Sequence, residues 1–241
     1  MTHSVRLLMA VAAVMATLPA VVSGHFQLLE PTSWLIEDNR GDPQKGGPCG
    51  GSNTDWGTPS NVVNKAVGGQ KLHVKVQETV YHPGHYRVAL SVNSRNDLPL
   101  DPQATTRPSD RGPWSVSAAI QDSPVIPVLA DGLFVHNMRP DGQAPPWEAD
   151  VQLPNINCKT CTLQVVQFME EHAFNNPGGY TYHHCANLAI TALELTAEDH
   201  REIAAVLARR KGPAGDTFAL ERDRTGRHSS IMKYNLNKGA A

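Results

Sequence analysis

Excess charge of either sign is the first thing missing from this chain: Lys plus Arg and Asp plus Glu nearly cancel, leaving a formal net charge of −2 at pH 7. A balance so close to neutral gives no footing to a nucleic-acid or anionic-membrane partner. Internal repeats are missing too, and no convincing helical period occurs before Thr196. No cysteine follows the small residues that close the N-terminal apolar run, so no lipid anchor is expected there. Cysteine is scarce throughout. The four present all lie beyond residue 24, an even number suited to two disulfides in an oxidising compartment.

The N-terminus reads as a leader. Arg6 supplies a positive start, Leu7 to Val22 form an apolar run too short and too Ala-rich to span a membrane comfortably, and Val22-Ser23-Gly24 offers a cleavage site. Residues 1–24 are therefore expected to be a signal peptide, and the product to be secreted or periplasmic, beginning at His25. The remainder is long enough to bury one good core.

Period-2 alternation predicts strands at "KLHVKVQETV" (71–80), "HYRVALSV" (85–92), "TLQVVQF" (162–168) and "NLAITALEL" (187–195). The Pro/Gly-rich stretches Gly41–Gly57 and Asn93–Pro154 read as long connections, of the kind that is either functional or disordered. Thr196 is placed to cap a short helix with Ile203, Val206 and Leu207 on one face, and the polar stretch after Gly212 is expected to be a mobile tail. The class is all-β: a sandwich with loop-borne function, a short C-terminal helix and three divisions at 1–24, 25–195 and 196–241.

Cleavage before His25 would change that residue's chemistry. A free α-amine and the ring Nδ1 of the same histidine can close a chelate ring on one metal ion. The amine has an ordinary pKa of about 7.7–8.0 and must lose its proton to bind. Nitrogen ligands in a plane select Cu(II) by geometry and by the Irving–Williams order. A second imidazole is offered by "YHPGHYRVAL", where His82 and His85 flank a Pro-Gly turn leading into a strand. Further along, "GGYTYHHCANLAI" sets Tyr182 three residues before Cys185, on a loop opening a buried strand. The bland readings are a chance residue at the cut, two solvated turn histidines and a core tyrosine.

In this order, the three pieces resemble the lytic polysaccharide monooxygenases, copper enzymes that cleave chitin or cellulose oxidatively. The resemblance rests on a histidine after the leader, on "HPGHYRV" as the H-x-G pattern entering a strand, and on "YHHC". It covers the mature chain up to about Leu195. It implies an immunoglobulin- or fibronectin-like β-sandwich whose copper is held by a brace of His25 and His82, with Tyr182 axial. Polysaccharide as substrate, an external electron donor, oxidation at C1 or C4 and a monomeric working unit are implied with it. Disulfides Cys49–Cys185 and Cys158–Cys161 follow from the same resemblance, although four cysteines allow three pairings.

The chain departs from the family where some members carry a glutamine two residues before the axial residue; here Tyr180 stands in that place. The candidates for the missing polar group are His85, Gln167, His172 and His183. Trp34, Trp56 and Tyr180 are candidate substrate contacts, while Trp114 and Trp147 are equally suited to the core. A brace protein that carries copper without catalysis, or a domain that only adheres to polysaccharide, are the alternatives.

Overall fold

The computed structural model describes residues 24–138, 142, 144–194, 196–199 and 201, and the backbone of 216–222 and 228–235. The leader expected at 1–24, apart from Gly24, and the apolar face expected on the helix lie outside the described residues.

Two sheets form the body. One is three-stranded, in the order β1 (His25–Glu30), β3 (Lys71–Val80), β8 (Trp147–Gln152). The other is five-stranded, in the order β2 (Val63–Val67), β10 (Thr181–Thr191), β9 (Cys158–Met169), β4 (Gly84–Ser91), β7 (Val128–His136). All pairings within these sheets are antiparallel except β2 with β10. A separate hairpin joins β5 (Ala104–Arg107) to β6 (Trp114–Ala118).

The apolar residues expected to alternate do so, and their inward set forms the core. Phe26, Leu28, Val74, Val76 and Val151 of the first sheet pack against Tyr86, Val88, Leu90, Leu163, Val165 and Leu188 of the second. Burial of this kind stabilises by about 25 cal/mol per Å² of apolar surface and is what holds one sheet on the other. The all-β sandwich expected from the strand pattern is present. β4 is buried along its whole length because loops cover its outer face as well. Both disulfides are formed as expected, Cys49–Cys185 and Cys158–Cys161.

Four expectations are corrected. The connection Asn93–Pro154 contains β5, β6, β7 and β8: β6 and β8 alternate but are short and set among Pro- and Gly-rich turns, β5 has no apolar residue but Ala104, and Asp131-Gly132 interrupts β7. β10 begins at Thr181, six residues ahead of the expected start, so Tyr182 and Cys185 lie within a strand and not on a loop before it. The N-terminal strand β1 carries no clean alternation and escaped notice. Finally, part of the expected tail pairs as an antiparallel hairpin, β11 (Asp216–Arg222) with β12 (His228–Asn235), in which "TFAL" and "SIMKY" supply the short alternating runs. The helix starts where expected. Thr196 Oγ1 accepts from Asp199 N at 3.2 Å, and Asp199 Oδ2 accepts from Thr196 N at 2.7 Å, a reciprocal cap.

A candidate metal centre at the start of the first strand

Antiparallel pairing sets His25 opposite Val80, so the first residue of β1 lies beside the last residue of β3. The chain then runs through Tyr81 and His82 to Gly84, where β4 begins. Gly84 has φ +149°, and a Cβ there would fall 1.9 Å from the carbonyl oxygen of Phe168. Only glycine allows this approach of the turn to β9. The same closeness recurs at Gly24, whose Cβ would lie 2.9 Å from His82 Cβ and 2.8 Å from Met169 Sδ. His82 is thus packed against the backbone two bonds from the His25 nitrogen.

The His25 ring is buried, with Nε2 at 3.1 Å from Asp42 Oδ2 and its ring edge against Tyr182 at 5.2 Å between centroids. A proton on Nε2 directed at that carboxylate would leave the ring lone pair on Nδ1, the nitrogen a chelate with the α-amine requires, whereas the Arg40 guanidinium, 3.5 Å from the same Nε2, favours the other tautomer. The hydrogen bond to His25 holds the Asp42 carboxyl below its ordinary range, against the opposing effect of burial. Gln44 accepts from Phe26 N at 3.1 Å and fixes the strand one residue further on. Neither Asp42 nor Gln44 belongs to any of the motifs, although both lie in the Pro/Gly-rich connection Gly41–Gly57.

His82 is 3 % exposed, and its Nδ1 is buried without a hydrogen-bond partner. Burial pushes its pKa down to about 4, and the neighbouring His172 adds to the effect, so the imidazole is neutral near pH 7. Its carbonyl accepts from His136 Nε2 at 2.8 Å. His136 in turn has its Nδ1 directed at the Phe134 carbonyl and its Nε2 at 3.1 Å from Glu78 Oε1. Acceptors at both ring nitrogens raise the His136 pKa although burial opposes them. Glu78 Oε1 also accepts from Gln167 Nε2 at 2.7 Å and from Tyr86 Oη at 3.3 Å. A buried polar frame therefore stands directly behind the turn that carries His82.

The four candidate polar groups separate by strand alternation. Gln167 is the register partner of Tyr182 and shares its inward face. His172 lies against His82, 4.8 Å between ring centroids. His85 and His183 point to the opposite face of the five-stranded sheet, His85 4.0 Å from Asp131 Oδ1 and His183 Nε2 2.8 Å from Asp101 Oδ1. They are remote in orientation from the His25 ring. Tyr182 itself is fully buried.

The aromatic candidates also divide. Trp34 donates to the Cys49 carbonyl at 2.7 Å and is covered by the Arg95 guanidinium at 3.5 Å, which closes its face. Trp56 is 76 % exposed. Tyr180 lies edge-on to Phe174, which is 63 % exposed, and Trp114 donates to Glu171 Oε2 at 3.0 Å in the same neighbourhood. Trp147 stacks on His136 at 5.3 Å and belongs to the interior. Phe174 is an exposed aromatic that no motif signalled.

Among the described residues no group of three or more His, Cys, Asp or Glu side chains is gathered as a metal cage. A brace draws on two imidazoles and a main-chain amine and so falls below that count. Among the described residues no helix is long and apolar enough to cross a membrane. No protein-family model matches the chain, and comparison with curated proteins finds no match either.

Proposed function

We propose that the chain, once cleaved before His25, is an exported copper protein of the histidine-brace kind that cleaves chitin- or cellulose-like polysaccharide oxidatively, with an external electron donor. The observation that carries this reading is the position of His82. It is a buried, neutral imidazole with an unpartnered nitrogen, seated against the backbone beside the His25 nitrogen. Few arrangements justify leaving that atom unsatisfied, since a buried polar group without a partner costs about 1–3 kcal/mol.

The residues present fit the ion. His25 would supply its amine and Nδ1 and His82 its ring, with the Tyr182 side chain, in contact with the His25 ring, beside them. Asp42 orients the His25 ring from its far nitrogen, as carboxylates commonly do behind metal-bound histidines. The His136–Glu78 pair clamps the carbonyl of His82 and keeps the turn rigid. When bound, copper would supply one-electron redox chemistry toward dioxygen or peroxide. The chain's own part is to exclude motion and water from the buried side and to present polymer at the open one. Phe174 and Tyr180, on the same segment as His172, offer an exposed aromatic edge for stacking against sugar rings.

A copper carrier without catalysis is the second reading. It is favoured by Gln167, which is fully buried with its amide nitrogen donating to Glu78 Oε1 at 2.7 Å. The two separate on products. The copper-loaded protein incubated with chitin or cellulose and a reductant should release oxidised oligosaccharides detectable by mass spectrometry, and His82→Ala should release none. Copper binding without such products would establish the carrier.

A further inference from the structure

The two edges of the His82 ring have different neighbours. The Cβ position of Gly24 lies 2.9 Å from His82 Cβ and 3.3 Å from His82 Cδ2. Cδ2 is bonded to Nε2, so the Nε2 edge is the one turned to the Gly24–His25 backbone and to the amine that cleavage would free there. Nδ1 sits on the opposite edge, buried and without a hydrogen-bond partner. A neutral imidazole that gives one nitrogen to a metal carries its proton on the other, and that proton needs an acceptor.

The ring packed on His82 belongs to His172, which is 4 % exposed; the two rings meet at 4.8 Å between centroids with 64° between planes. The Nδ1 of His172 faces the Ala173 carbonyl, which can only accept, so the ring proton stays on Nδ1 and Nε2 keeps its lone pair. That Nε2 is likewise buried without a hydrogen-bond partner. Each ring nitrogen lies about 1.1 Å from its ring centre, so a centroid spacing of 4.8 Å admits N···N separations from about 2.6 Å upward and takes in the ~2.7–3.2 Å of a hydrogen bond. The backbone of His172 is also clamped. Ser115 Oγ accepts from His172 N at 3.0 Å, Ser115 N donates to His172 O at 2.9 Å, and Ser115 Oγ donates to Met169 O at 2.7 Å. Glu171 N donates to Ser115 O at 3.0 Å, with Glu171 itself held at φ +51°, a left-handed backbone uncommon outside glycine.

We propose that His172 is a positioning residue for His82: its Nε2 accepts the proton of His82 Nδ1 and so fixes the tautomer that leaves His82 Nε2 to bind copper. The inference rests on the copper reading above and keeps the site at two imidazoles and one amine. His172 itself stays off the ion. The unsatisfied Nδ1 of His82 is thereby accounted for, as a donor whose proton is fixed once copper takes Nε2. His172 is the counterpart of Asp42 behind His25, with a neutral ring in place of a carboxylate, so the His82 side gains an acceptor without burying a further charge.

The test uses the protein beginning at His25, loaded with one equivalent of Cu(II). Electron spin-echo envelope modulation counts the bound imidazoles through their remote nitrogens, and the quadrupole coupling of a remote nitrogen changes with the hydrogen bond it makes. Two imidazoles are expected. His172→Phe, which keeps a ring against His82, should retain both, shift the coupling of one, and weaken copper binding by about 10- to 100-fold. His172→Gln, which restores an acceptor, should recover most of that loss, and His85→Ala, on the other face of the sheet, should alter neither readout. An unshifted coupling in folded His172→Phe, or a third imidazole in the unsubstituted protein, would overturn the proposal and leave the brace standing; fewer than two imidazoles would overturn both. One measurement needs no substitution. In protein isotopically labelled in nitrogen and loaded with diamagnetic Cu(I), a scalar coupling across the hydrogen bond should join His82 Nδ1 to His172 Nε2, and its absence would overturn the proposal.

Discussion

Replacing Gly84 by alanine is the sharpest test of how the turn positions His82. The added Cβ would lie 1.9 Å from the Phe168 carbonyl oxygen, about 1.1 Å inside the 3.0 Å below which such contacts essentially do not occur. Gly84 is paired on both sides, with Met169 of β9 and His136 of β7, so relief requires β4 to move against two neighbours at once. Adopting φ +149° with a side chain costs about 1–3 kcal/mol, and loosening one or two ladder hydrogen bonds costs about 0.5–1.5 kcal/mol each. The expected loss is about 3–5 kcal/mol, or a fall in Tm of roughly 6–20 °C for a chain of this size. Gly112 supplies the control. It has φ +90° but nothing within 4 Å of its Cβ position, so Gly112→Ala should show the backbone strain alone, about 1 kcal/mol. Thermal unfolding by circular dichroism, with calorimetric copper titration of the same samples, reads both effects. Equal Tm values for the two variants would refute the close approach as the reason for Gly84.

Three further outcomes are expected. A residue retained before His25 converts the amine to an amide and should sharply weaken copper binding with little change in Tm; equal calorimetric affinities for the cut and extended forms would rule out the brace. Tyr182→Phe should leave copper affinity nearly unchanged while shifting the EPR parameters, because a phenol oxygen would offer bound copper only a weak contact; Tyr182→Ala should also destabilise by about 3–5 kcal/mol, since the ring is fully buried. Burial raises the Glu37 pKa to about 7 from 4.5, although hydrogen bonds from Ser33 and Leu28 oppose it. A raised acid pKa favours the folded state fully below the unfolded value and loses that favour as pH climbs through about 7. Glu37→Gln should therefore gain about 3 kcal/mol on wild type between pH 4.5 and 8, and parallel pH profiles from urea unfolding would contradict this.

The strands that could be read from the amino-acid order are those whose surroundings are simple. Lys71–Val80 alternates cleanly because one face meets the core and the other is less buried, and it was located to the residue. Strands β5 to β8 are not legible because they are short or interrupted runs set among Pro- and Gly-rich turns, and pairing with a neighbour is what makes them extended. Local order also singled out His25, His82 and Tyr182, each marked by a turn, a cut or a cysteine nearby. Their convergence was a matter of tertiary structure. The register of β1 on β3 places the first residue beside Val80, and the glycines at 24 and 84 let backbone and imidazole approach to distances no other residue permits. Asp42 lies 17 residues from His25, and His136 and His172 lie 54 and 90 residues from His82. A chain read in order carries no sign of such partners. Strand alternation decided the rest: residues three apart on one turn, His82 and His85, were sent to different faces, and this parity, set by where β4 begins, assigns one histidine to the candidate copper site and the other to a polar layer under the loops.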